Sequence, residues 1–229
     1  MSTITGTLSN EKDMSAAAKV HTFVRGAIWA LPIWAAMLFL GTLTHQPDPQ
    51  TDFASFAAYV TTSQFLISHL VNSIGGAAIG SIGVIGLMLY LQDTKAVGKA
   101  ITGMVATVTG NTFTSAVFGA AAFAQTAAGH AYLAGEKNAL DFYNLVYSAP
   151  LFGTALVGLL LFIVGGVFSA NAIAASGRFP RWVGWVYAIT IVGFVLSNFI
   201  IPVGQTPMSV LLFVSTVVVA WKVSLKDVI

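Results

Sequence analysis

The ten basic and eight acidic residues of this chain all stay clear of the interior of six long apolar stretches. That distribution constrains the fold more than any motif does. The stretches run 26–44, 61–91, 100–127, 144–175, 182–201 and 207–222. A helix needs about 20 predominantly apolar residues to cross the hydrocarbon core. In lipid each backbone amide must find its partner within the spanning segment, which selects helices; the alternating short segments of a barrel are absent. Composition agrees. The chain is 56% hydrophobic and 8% charged, where soluble domains carry roughly 25% charged residues, and no water-soluble fold of this size disposes of so much apolar surface. The expected fold is all-α: a polytopic bundle of six transmembrane helices over 26–222. An N-terminal tail, 1–25, and a C-terminal tail, 223–229, flank it. The segment 11–25 has the pattern of a short interfacial helix, with Ala16, Ala17, Val20 and Phe23 on its apolar side. The second and fourth stretches are long enough to tilt or to project from the bilayer.

The loops alternate in charge. Segments 92–99 and 176–181 are short and basic, whereas 45–53, 136–141 and 202–207 are acidic or neutral. Lys12, Lys19, Arg25, Lys95, Lys99, Arg178, Arg181, Lys222 and Lys226 fall on one side of the implied membrane, and Lys137 alone on the other. The positive-inside rule puts both termini in the cytoplasm, and the anionic inner leaflet favours the same choice. Short loops and the lack of a presequence suggest a bacterial cytoplasmic membrane. Trp29, Trp34, Trp182, Trp185 and Trp221 lie in or near span ends, as in an aromatic belt. The net charge of +2 is spread along membrane edges, which argues against nucleic acid as a partner. The expected partners are the lipid bilayer and either other membrane subunits or a second copy of the chain. The absence of cysteine excludes disulfides, thiolate metal sites, iron–sulfur clusters and cysteine nucleophiles.

The second stretch carries the most informative face. His69 is the one histidine clearly inside a span, and Asn72, Gly76, Gly80 and Gly83 follow it at helical steps of three and four. Gly75 and Gly86 widen the small-residue surface, and Gly76-x-x-x-Gly80 is a pattern that lets helix backbones approach closely. One reading is a tight helix–helix seam, with Gly76, Gly80 and Gly83 packing and His69 and Asn72 hydrogen bonding across it. The other is a ligand site, because an ionisable group within a membrane is costly and marks function by default. Neutral His69 has the chemistry to ligate a haem b iron, shuttle a proton or hydrogen-bond a substrate. A bis-histidine haem would need a second histidine inside the membrane, and the sequence offers none.

Other polar residues reach a similar depth. Thr107, Asn111, Thr114 and Gln125 share a face of the third stretch, Tyr147 and Ser148 begin the fourth, and Ser197 and Asn198 lie near the outer end of the fifth. Following the direction of each helix, Gln125, Tyr147 and Asn198 lie level with His69, and Asn111 lies deeper. Their convergence would form a neutral pocket opening outward, as sites between bundle helices do. Each alone also suits a structural hydrogen bond. His45 and His130, with Asp48, Asp52, Glu136 and Asp141, have donor types for zinc or copper, but no tight histidine pair fixes a geometry, so they read as solvated loop residues.

No charge lies deep in a span, which disfavours proton pumps and ion-coupled transporters. There is no metalloprotease helix motif, phosphate-binding loop or dinucleotide fingerprint. Pro32 and Pro150 are candidate kink positions, and Gly119, Gly165 and Gly166 read as packing positions. The stretch Arg178-Phe179-Pro180-Arg181-Trp182-Val183-Gly184-Trp185 reads as a cytoplasmic turn, with arginines at the inner leaflet and tryptophans at the interface. This stretch and the span pattern resemble uncharacterised six-span bacterial integral membrane proteins, a resemblance that implies a fold and carries no activity or catalytic residues. Three functional readings follow. The first is a non-catalytic packing or accessory subunit of a membrane assembly. The second is a membrane-embedded binder or enzyme for a small apolar molecule, haem-dependent in one version and centred on His69. The third is a small-molecule transporter or channel.

Overall fold

The computed structural model describes residues 18–225, which are helical with no strand among them. The helices in chain order are α1 (Ala18–Gly41), α2 (Phe53–Val60), α3 (Ser63–Tyr90), α4 (97–133), α5 (Ala139–Val146), α6 (Ala149–Ala175), α7 (Arg181–Ile200) and α8 (Gln205–Leu225). Residues 1–17 and 226–229, and with them most of both expected tails, lie outside the described residues. Where the tail was expected to continue through residue 25, the chain is already helical from Ala18.

Five helices are long and apolar enough to cross a membrane: α1, α3, α6, α7 and α8. The third expected span is also a helix, α4, but it is the most polar of the set. Threonines 102, 107, 109, 112 and 114 and Asn111 run through it. Much of that polarity is spent internally. The hydroxyls of Thr102, Thr112 and Thr114 each donate to the carbonyl four residues back, at 3.0–3.1 Å, so these side chains bring few unpaired groups to their surroundings.

The largest helix contact in the bundle joins α4 to α6. It is a seam of small residues at steps of four and three on both helices. A Cβ placed on Gly103 would lie 2.7 Å from the Ser169 amide nitrogen, and one on Gly165 2.6 Å from that of Thr107. Gly110 meets Phe162 and Gly158 meets Thr114 in the same way. A second seam joins α1 to α3. Gly80 faces the Trp34 ring, Gly83 Leu31 and Gly86 Ala27, and a Cβ placed on any of the three would come within 2.9 Å of that neighbour. Gly76 touches Met37 at ordinary contact distance. Gly119, expected in packing, has nothing within 4 Å of its Cβ position.

Two local features reshape the helices. Pro32 has no amide hydrogen to offer the Ile28 carbonyl, and α1 loosens into a turn at Ile28–Trp29. Pro150 instead sits in the first turn of α6, where a missing N–H costs nothing. The fourth expected span therefore does not begin at 144. The chain breaks at Tyr147 and Ser148, and α5 is a separate short helix. Helices α2 and α5 pack over the far end of α4, where Phe53, Phe56, Phe65, Tyr143 and Tyr147 form an aromatic cluster. Asp52 caps α2 by accepting from the Ser55 amide at 3.0 Å, and hydrogen bonds from the Ser55 side chain and amide hold its carboxyl below the usual range.

The bundle has a basic end and an acidic end. At the basic end Arg178 turns inward rather than toward lipid headgroups. Its guanidinium donates to both carboxylate oxygens of Asp93 at 2.7 Å and to the Tyr90 carbonyl, and it lies 4.6 Å from the Tyr90 ring centroid. This clasp ties the α3–α4 turn to the α6–α7 turn.

The seams predict a contrast between glycines of one helix. Gly165→Ala should lower the stability of the detergent-solubilised protein by about 1–3 kcal/mol through overpacking. Gly153→Ala, which meets nothing within 4 Å, should leave the melting curve unchanged. Circular dichroism during heating checks both.

Candidate functional site

A cavity of about 370 Å³ opens among α1, α3, α4, α6, α7 and α8, in the half of the bundle nearer the acidic end. That size falls at the lower end of the roughly 300–1,000 Å³ typical of small-molecule sites. Met37, Leu38, Val117, Phe118, Leu159 and Phe194 give it apolar walls, and Thr42, Asn72, Ser73, Thr114, Asn198 and Gln205 supply its polar groups. None of its lining residues carries a formal charge.

The polar groups divide into two kinds. The hydroxyls of Thr42, Ser73 and Thr114 donate to carbonyls of their own helices at 2.8, 3.2 and 3.0 Å. The carboxamides are uncommitted: no hydrogen bond joins the side chain of Asn72, Asn198 or Gln205 to another described residue. Asn72 and Gln205 are half-buried, and Asn198 is exposed. A carboxamide both donates and accepts, so three of them around one apolar space suit a neutral group such as a hydroxyl, carbonyl or amide.

The six sequence candidates separate into four places. Asn72 and Asn198 share the cavity. Asn111 is buried beside it, on α4, and donates to the Ala77 carbonyl at 2.9 Å and to the Ser81 hydroxyl at 3.0 Å. Ser81 in turn donates to the same carbonyl, so Asn111 fastens α4 to α3. Gln125 is buried under the aromatic cluster, and its side-chain nitrogen donates to the Tyr147 hydroxyl at 2.6 Å. That pair pins the break between α5 and α6 onto α4. The Gln125 side-chain oxygen is buried with no partner among the described residues.

His69 does not line the cavity. Its Nδ1 pairs with the Phe65 carbonyl at 3.0 Å, and its ring packs 4.1 Å from Phe65 and 6.0 Å from Phe118, centroid to centroid. The expected single face from His69 down to Gly83 is interrupted because Ser68–Gly75 is π-helical. The wider turn changes the rotation per residue, so spacing by threes and fours no longer sets direction. A second π segment, Ala121–Gln125, lies on α4 and ends at Gln125. Such segments are frequent at functional sites, and no sequence pattern announced either one. Gln205 and Thr42 escape the sequence reading because polar residues at span ends are indistinguishable from loop residues until the helices are assembled, and Ser73 because a lone serine inside a span carries no pattern of its own.

His45 and His130 are exposed at the acidic end. Among the described residues no group of three or more histidine or carboxylate side chains is placed to hold a metal ion.

Asn111→Leu should cost about 0.6 kcal/mol and at most about 1.7, the average and maximum measured for hydrogen bonds between helices in membranes. Thermal unfolding reads this loss. Ser81→Ala, which leaves Asn111 its carbonyl partner, should cost less.

No protein-family model, curated protein or solved structure matches the chain.

Proposed function

We propose that this chain is a six-span protein of a bacterial cytoplasmic membrane, with both termini cytoplasmic, that binds a small uncharged amphipathic molecule between its helices. One observation carries the reading: three uncommitted carboxamides, Asn72, Asn198 and Gln205, line one largely apolar, uncharged cavity. None of the three has a hydrogen-bond partner among the described residues, and a ligand with one hydrogen-bonding head and a short apolar body would engage them while its body packs on the apolar walls. In this topology α4 is the third of the six spans, sheltered by its seam with α6, and the cavity faces the outer leaflet.

The accessory-subunit reading rests on scarce ionisable groups, short loops and glycine faces that could await a partner; the last of these is the part the structure bears on. Gly76, Gly80, Gly83 and Gly86 pack against α1 of the same chain, which removes that motive. The haem reading needs an iron ligand aimed into a cavity, and His69 lies outside this one. A transporter of charged solutes would want ionisable groups along its path, and the cavity offers none.

Topology and binding are separable by experiment. In this cysteine-free chain, Pro49→Cys and Lys137→Cys should react with an impermeant maleimide from outside intact cells, and Lys95→Cys should react after the inner face is exposed. The opposite pattern would invert the topology. For binding, a diazirine-bearing octanol photoactivated on the protein in nanodiscs should label peptides around Asn72, Ser73 and Asn198. Ala155→Phe, which fills the cavity, should abolish that labelling. Asn72→Leu should raise the concentration needed roughly tenfold, as for loss of one hydrogen bond. Labelling spread evenly over the outward helix faces would refute the site.

A further inference from the structure

A second cavity, of about 430 Å³, lies at the basic end between the α3–α4 and α6–α7 turns. Its lining brings together Lys95, Lys99 and Arg181, with Asn171, Phe179 and Trp185 beside them. No acidic residue lines it. Asp93, the one acid of the neighbouring loop, is occupied by Arg178 in the sole ion pair among the described residues. Three cations therefore share one concave surface without a counter-charge there, an arrangement that repels itself unless an anion joins it.

The helix ends add to that field. Lys99 lies in the first turn of α4 and Arg181 begins α7, and neither helix has an acidic residue in its first turn or a side-chain cap. Cations at helix N-termini oppose the macrodipole, so both positions gain only if a negative group sits between them. Trp185 is 60% exposed and its neighbour Trp182 52%, as suits the headgroup layer of a bilayer. Apolar Phe179, Ala174 and Ala175 complete the wall.

The geometry points to a binding site for a phosphate monoester or diester, supplied by an anionic phospholipid of the adjoining leaflet. Lys95, Lys99 and Arg181 bind the phosphate oxygens by their charge, while Trp185 and Phe179 flank the glycerol. The inference rests on the membrane reading and is independent of the neutral cavity.

The test uses the full-length protein in nanodiscs of equal parts dioleoylphosphatidylglycerol and dioleoylphosphatidylcholine, with native mass spectrometry counting the lipids retained on release. The wild type should retain phosphatidylglycerol preferentially. Lys99→Gln/Arg181→Gln should lose the preference, about fivefold for each charge removed. The charge-preserving Lys99→Arg/Arg181→Lys and the control Lys222→Gln, at the same end but outside the cavity, should keep it. Equal retention by wild type and the double glutamine variant overturns the site, as does loss in the charge-preserving variant. A glycerol phosphate adduct that the glutamine variant loses, seen without phosphatidylglycerol retention, supports the phosphate chemistry and assigns its source to solution. Flotation of each variant with vesicles reports separately on the membrane reading, and matched melting curves show that each is folded.

Discussion

The near-contact of two helix backbones, α4 against α6, is the constraint on which the rest of this bundle depends. Hydrophobic driving force does not pull helices together in lipid, because the surrounding tails are as apolar as leucine. Close packing must supply the attraction, and it operates only where side chains are small. Gly103 and Gly110 of α4 and Gly158 and Gly165 of α6 bring main-chain atoms to distances at which even a methyl group would collide. That demand also explains why α4 is so polar. Threonine is small and ties its hydroxyl to its own helix, so it serves close packing while contributing little apolar character.

The sequence made the helices legible but not their rotation. Long stretches free of charge point to spans because lipid admits few alternatives, and α1, α3, α6, α7 and α8 are long and apolar enough to be spans. The short helices α2 and α5 were read as loop or as parts of longer spans, because each is too brief to show a full period against its neighbours. Helical spacing from His69 points to Asn72 and depth points to Asn198, and both line the cavity. His69, which heads the same expected face as Asn72, lies outside it, because the π-helical turn at Ser68–Gly75 breaks the regular rotation that projects residues onto a face. Arg178 was read as a headgroup anchor. Its true partner, Asp93, is remote in sequence, and no local pattern pairs them.

The two cavities divide along the bundle by the chemistry each end permits. At the basic end Lys95, Lys99 and Arg181 are exposed around a concave surface. Deeper, an unpaired charge would be prohibitive, and the polar groups lining the other cavity are carboxamides and hydroxyls. The Arg178–Asp93 clasp lies beside the basic cavity. By neutralising one arginine and the only acid of its loop, it leaves the remaining cations as the net charge of that surface.

The position of the neutral cavity follows from where the seams stop. On α3 the glycines run from Gly86 to Gly75, and the cavity begins at Ser73 and Asn72. On α4 the last seam glycine is Gly110, and the cavity begins at Thr114. On α6 the seam reaches Gly158, and Leu159 and Ala155 already face open space. The π segments lie at this same end of α3 and α4. The space between the helices is thus a consequence of how they are fastened, and the carboxamides of Asn72, Asn198 and Gln205 occupy the place that this fastening leaves unfilled.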